Sequence, residues 1–200
     1  MRCCTRVIMM HMTRQQTTRQ LNQVLEAIGS RGLSGVASKA NSLLKVLENV
    51  DAFPSGTTMQ NKRSICANLR RLGLIEVTKT GDDLLVQPSV KGIHRLQRAK
   101  IAALTIQHQS RWDGTWRMVS YDIPARYGKE RRLFTSELHR LGFTLLKDSM
   151  WFHPYPCFDV LSELIAYCGL TQFVMVAEIA RLDEGSLRRL YKAHPTLNAK

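Results

Sequence analysis

The sequence predicts an α+β protein of two successive domains, on three observations. Apolar residues recur at helical spacing from Thr17 to Leu72, the period then shortens toward two, and the second half alternates strand and helix signals in the order βαββαβ. At 44% hydrophobic and 22% charged residues, the chain has enough apolar material for folded cores. Its 200 residues carry 29 Lys+Arg against 16 Asp+Glu, a net charge of +13 that favours polyanionic partners. The excess is uneven. Residues 1–110 hold 16 basic and 6 acidic side chains, an excess of +10, whereas residues 111–200 hold 13 and 10, an excess of +3. The first half is therefore expected to meet the polyanion.

Residues 1–16 are an unassigned N-terminal arm, and residues 17–89 form the first domain. Leu21, Val24, Leu25 and Ile28 mark one face of a helix that Gly29 and Gly32 end. A second helix is expected from Val36 to Val50, with Leu43, Leu44 and Leu47 inward and Pro54-Ser55-Gly56 as its break. Thr57 or Thr58 then caps a third helix whose stripe is Ile65, Leu69 and Leu72, with Cys66 beside it and Gly73 at its end. Leu74 to Thr80 and Leu84 to Gln87 read as two strands joined across Gly81-Asp82-Asp83. Three helices followed by such a hairpin predict an N-terminal winged helix-turn-helix.

Residues 90–110 are expected to be a linking helix, with Ile93, Leu96, Ile101 and Leu104 apolar and its end near His108. The second domain, residues 111–182, reads as strand (Trp116 to Ile123), helix (Lys129 to Gly142), two strands around Asp148-Ser149, helix (Phe158 to Gly169) and a final strand within residues 171–182. Leu133, Phe134, Leu138 and Leu141 are expected inward on the first of these helices. The order predicts a ferredoxin-like sandwich, with both helices on one face of an antiparallel sheet. The other face needs a cover, and a second copy of the domain is the usual one. Residues 183–200 read as a C-terminal tail.

In a helix-turn-helix the second helix of the motif enters the major groove, while flanking positions and the wing hold phosphates. With Ile65, Leu69 and Leu72 inward, the third helix presents Gln60, Asn61, Arg63, Ser64, Ala67, Asn68 and Arg71. Amide side chains pair with adenine and Arg with guanine, so this is a face suited to reading duplex DNA. Arg70 and Lys79 are expected on phosphates, and Asp82 and Asp83 at the wing tip would repel them. Asp122, at the end of the second domain's first strand, is the one candidate for metal-dependent chemistry. Two such carboxylates in a symmetric dimer could share Mg2+ or Mn2+ in a nuclease site; otherwise no cofactor is required.

The five cysteines form no CxxC and no zinc-finger spacing, and Cys66 and Cys168 fall at apolar helix positions where a buried thiol is expected. His139, His153 and His194 have no ligand spacing. Trp112, Trp116 and Trp151 are expected as core or interface anchors. No run of eighteen apolar residues occurs, and MRCCTRVIMMHM is too short and too interrupted for a secretory segment, so a cytoplasmic protein without a membrane partner is expected.

The series WDGTWRMVSYDIP, Lys129-Glu130-Arg131-Arg132-Leu133, LHRLGF and Ser149-Met150-Trp151 with HPYP resembles PaaX-like transcriptional repressors. RLGLIEV followed by VQPSVKGIHRL resembles the wing and exit helix of that family, and the resemblance covers roughly residues 17–182. It implies a winged helix ahead of a domain similar to the ferredoxin-like CRISPR-associated subunit that supports spacer integration. Together with the winged-helix pattern, the +10 first half and a ferredoxin-like face that needs a partner, it leads to the expectation of a homodimeric, sequence-specific repressor that binds double-stranded DNA. Members respond to an aryl-CoA thioester and usually continue into a further region, which a sequence ending at Lys200 does not supply, so the small-molecule effector is left unassigned. The alternative is a CRISPR-associated integration subunit or a metal-dependent nuclease using Asp122, whose position matches the strand-end Asp of that subunit.

Overall fold

The computed structural model describes residues 16, 18–30, 36–38, 42–81 and 83–198. Residues 1–15 of the predicted arm, Gly32 and Asp82 lie outside the described residues. The chain divides after Lys100 into two units, each with its own core.

In the first unit, α1 (residues 18–29) buries Leu21, Val24, Leu25 and Ile28 at the predicted spacing. The helix expected from Val36 to Val50 is shorter. Val36–Ser38 forms β1, and α2 covers only Leu43–Asn49. Ser42 starts α2 because its hydroxyl accepts the Lys45 N–H (3.4 Å), satisfying a backbone donor that has no partner within the helix. Val46 rather than Leu44 joins Leu43 and Leu47 inside. Pairing of β1 with a distant strand removed residues 36–38 from the helix, a long-range choice that local periodicity cannot register.

Helix α3 (Met59–Arg71) is capped as expected: the Thr58 hydroxyl accepts the Asn61 N–H (3.3 Å). Ile65, Cys66 and Leu69 are buried. The hairpin follows as β2 (Ile75–Thr80) and β3 (Asp83–Pro88), in a register that pairs Thr80 with Asp83 and leaves a two-residue connection. Gly81 begins it at φ 60°, the left-handed backbone such tight hairpins require. The sheet order is β1-β3-β2, all antiparallel.

Helix α4 (Val90–Ala103) starts on Ser89, whose hydroxyl accepts the Gly92 N–H (3.1 Å) and donates to the Gly73 carbonyl (2.6 Å). It ends five residues before the predicted His108. The Arg140 guanidinium helps to cap this end, donating to the carbonyls of Ile101 and Leu104 (both 3.0 Å), the first of which also accepts the Leu104 N–H (3.1 Å). Ile101 and Ile106 belong to the second core, so that unit begins earlier than the predicted residue 111.

The second unit runs β4 (Trp116–Tyr121), α5 (Gly128–Arg140), β5 (Thr144–Lys147), β6 (Met150–His153), α6 (Phe158–Cys168), β7 (Val174–Ile179). Its antiparallel sheet has the order β5-β6-β4-β7. One core joins Val119 and Trp151 of the sheet to Phe134 and Leu138 of α5 and Leu161 and Leu164 of α6. Leu133, expected inside, is 40% exposed.

The predicted tail is a further helix, α7 (Glu184–Ala193), started by Asp183, whose carboxylate accepts the Ser186 N–H (2.9 Å). Leu190 is fully buried in a second cluster with Trp116, Leu146 and Phe152, and Leu187 and Tyr191 pack on it. These sheet residues alternate along their strands with Arg117, Trp151 and His153, so α7 covers sheet surface opposite α5 and α6. Part of the cover expected from a second copy is thus supplied by the chain itself. The Arg189 guanidinium reinforces it by donating to the carbonyl of Leu146, at the irregularity between Leu145 and Lys147 of β5.

Gly92 offers a test of the first unit. A Cβ there would stand 2.1 Å from the Leu74 carbonyl oxygen, which already accepts the Ser89 N–H at 3.0 Å. Gly→Ala inside a helix ordinarily gains about 1 kcal/mol. Gly92→Ala is expected to reverse that sign and cost about 1–3 kcal/mol through overpacking, read as a lower urea midpoint for the first unfolding transition.

Candidate nucleic-acid interface

The candidate reading face rests on α3. Its inward residues Ile65, Cys66 and Leu69 direct Gln60, Ser64, Ala67 and Arg71 outward as one stripe, at intervals of three and four residues. Arg63 and Arg70 flank the stripe on one side, Asn61 and Asn68 on the other. All are exposed except Asn68, which is half-buried and accepts from the Arg71 guanidinium at 3.1 Å. The helix contains no acid, and among the described residues neither Arg63 nor Arg70 has an ion-pair partner.

Lys62, the remaining cation of α3, is committed to the fold. Its ammonium pairs with Glu48 of α2 (3.0 Å) and lies over the Phe53 ring (5.4 Å), tying the start of α3 to the end of α2. Cys66 is equally structural, since burial pushes its thiol up to about 11 and makes it a poor nucleophile near neutral pH. Lys79 is exposed on β2, two residues before the hairpin connection.

Asp122 stands in the other unit, exposed just beyond β4, with its backbone N–H donating to the Phe173 carbonyl at 3.0 Å. Among the described residues no three His, Cys, Asp or Glu side chains come together to hold a metal ion. A metal at Asp122 would need donors from elsewhere, as the dimeric nuclease reading already required.

Several organising groups escaped the sequence reading. Arg117 on β4 is buried, and its guanidinium makes two bonds to the Asp113 carboxylate (2.9 and 2.6 Å) and one to Glu178 (3.2 Å). It also donates to the carbonyls of Thr115 and Pro154 (both 3.0 Å). The Arg117 hydrogen bonds hold the Asp113 carboxyl below the usual carboxylate range. Spacing alone could have suggested this pair, because Asp113 and Arg117 are four residues apart around a glycine; the participation of Glu178 and Pro154 could not be read that way.

His153 is buried near His194, with ring centres 6.3 Å apart. Its Nδ1 accepts the Tyr155 backbone N–H (3.1 Å), and burial pushes its pKa down to about 4. Cys157 and Cys168 are likewise buried, with thiols pushed up to about 12 and about 11.

Fold and surface together define a basic α+β protein in two units, one of them presenting an exposed cationic and amide-bearing helix. Residues 109–190 match the family model of the PaaX protein central Cas2-like domain. This is the span that carries WDGTWRMVSYDIP and the Ser149-Met150-Trp151 strand. No curated protein matches the chain. Among the described residues, no helix is long and apolar enough to cross a membrane.

The histidine sets a pH dependence. Below pH 6.5 the unfolded chain binds a proton at His153 that the folded chain refuses until about pH 4. Stability is therefore expected to be level above 6.5 and to fall between 6.5 and 4, by up to about 3 kcal/mol. Urea unfolding across that range measures it, and His153→Gln should flatten the profile.

Proposed function

We propose that the chain is a sequence-specific, homodimeric regulator of transcription that binds double-stranded DNA, a repressor acting in the cytoplasm. The observation that carries this reading is α3: an acid-free helix whose outward stripe combines Gln60, Ser64 and Arg71, flanked by Asn61, Asn68, Arg63 and Arg70. Gln and Asn match the donor and acceptor pair of adenine, and Arg matches the two acceptors of guanine in the major groove.

The surroundings of α3 support the reading. The order α1-β1-α2-α3-β2-β3, with its three-stranded β1-β3-β2 sheet, is read as a winged helix-turn-helix in which α2 and α3 form the motif. Lys62 bridges those two helices and would hold α3 at a constant angle to α2. Lys79 places a cation near the end of the hairpin, where a phosphate contact adds affinity without sequence preference. In the second unit, the strand order β5-β6-β4-β7 with α5 and α6 on one face is read as ferredoxin-like. Its pairing with a second copy would set the spacing of two half-sites.

Competition between DNA from the chain's own upstream region and random DNA, at physiological salt, tests the reading. The upstream duplex should win. Asn61→Ala and Arg63→Ala should each reduce that preference by about 1–3 kcal/mol while leaving affinity for random DNA nearly unchanged. Equal affinity of the parent protein for both duplexes would remove sequence-specific regulation.

A further inference from the structure

The second unit carries a groove of about 1090 Å³ between α5 and the sheet. One wall is a single stripe of α5: Gly128, Arg131, Arg132, Thr135, Ser136 and His139. These residues recur at intervals of three and four, so one helix face lines the groove from end to end. The stripe contains no acid. The two acids of α5 lie off it: Glu130 and Glu137 both act electrostatically on Cys168 of α6, and Glu137 also pairs with Arg140 at 2.6 Å.

An ordinary solvated helix mixes signs, because opposite charges three or four residues apart stabilise it. Here the signs are separated. Arg140 reaches the groove but is occupied by Glu137 and by the carbonyls of Ile101 and Leu104. Arg131 and Arg132 are exposed and have no ion-pair partner among the described residues. Arg131 stacks over Tyr121 (5.8 Å), which helps to hold its guanidinium at the groove wall. The far wall is Tyr121, Leu145 and Trp151, and among the described residues the only acid lining the groove is Asp148.

We propose that this groove is a second contact for DNA, in which Arg131 and Arg132 hold phosphates of the duplex backbone. Two free guanidiniums beside the hydroxyl of Ser136 suit phosphate oxygens, which accept from both groups, whereas the Thr135 hydroxyl is spent on the carbonyls of Arg131 and Arg132 (3.0 and 3.2 Å). The groove reads no bases, so it adds affinity without preference. The charge of the second half, only +3 in total, becomes effective because its acids lie almost entirely away from this face. The proposal rests on the DNA-binding reading above but uses different residues.

The test is a salt series on the full chain, by fluorescence anisotropy, with a preferred duplex and a random duplex. Arg131→Ala/Arg132→Ala is expected to weaken both by the same factor and to make the slope of log affinity against log salt shallower by about 2 per chain. Arg131→Lys/Arg132→Lys should restore most of the loss, since an ammonium also binds phosphate. Asp148→Asn should tighten both complexes, and Asn tolerates the positive φ of 45° found there. Unchanged affinity and slope in the alanine variant would overturn the groove and leave the α3 reading intact. A parent protein without sequence preference whose slope still depends on Arg131 and Arg132 would overturn the α3 reading and leave the groove. Dependence on these arginines for single-stranded RNA but not for duplex DNA would also overturn the proposal.

Discussion

The second unit depends on one buried cation. Arg117 sits in the middle of the sheet, and a guanidinium removed from water must find partners for its donors or the fold loses several kcal/mol. Its partners come from places far apart in sequence: Asp113 and Thr115 before β4, Glu178 on β7, and the Pro154 carbonyl just after β6. Satisfying one side chain therefore fixes the approach to β4 and holds both neighbouring strands. The motif WDGTW follows from this requirement. Gly114 takes φ 82°, which turns the chain back so that Asp113 reaches Arg117 and accepts the Thr115 N–H as well (2.9 Å). Trp112 closes the turn by donating its indole N–H to the Thr115 carbonyl (3.1 Å).

The same turn prepares the surface on which α7 rests. Trp112 and Trp116 meet edge to face at 5.2 Å, and Tyr191 of α7 approaches each at 6.1 Å. His194, just beyond α7, shares a hydrogen bond with Thr144 of β5 (3.0 Å) and packs on Trp116 (5.6 Å). The C-terminal end of α7 is thus held against the sheet. Beyond its reach the sheet leaves Met150 41% and Met175 56% exposed. Any pairing of two copies through this sheet has that smaller, methionine-bearing area to use.

Much of the fold was legible because it rests on local chemistry. The helix spacing of Leu21, Val24, Leu25 and Ile28, the Thr58 cap, the glycine of the hairpin and the strand–helix alternation of the second half all act over a few residues. The exposed face of α3 was legible for the same reason, since naming its inward residues determines its outward ones. What failed was longer in range. Residues 36–38 became a strand because β3 offered a free edge, and α4 stopped at Ala103, where Arg140, far along the chain, helps to cap its end. Residues 183–200 looked like a tail because Leu187 and Leu190 are too few to define a face; the hydrophobic sheet beneath them supplied the reason to fold.

The sequence by itself determined the basic character of the chain, the positions of its main helices and strands, and the side chains α3 would show to a partner. These follow from composition and from periods of two and 3.6 residues. Tertiary structure decided which charges remain free. Of the cations on α3, Lys62 is spent on Glu48, and of the arginines along α5, Arg140 is spent on Glu137 and two carbonyls, whereas among the described residues Arg131 and Arg132 stay unpaired on an acid-free wall. The reason is electrostatic: a charge count along a chain sums over all side chains, but a ligand responds only to those that the fold leaves exposed and without a counter-charge.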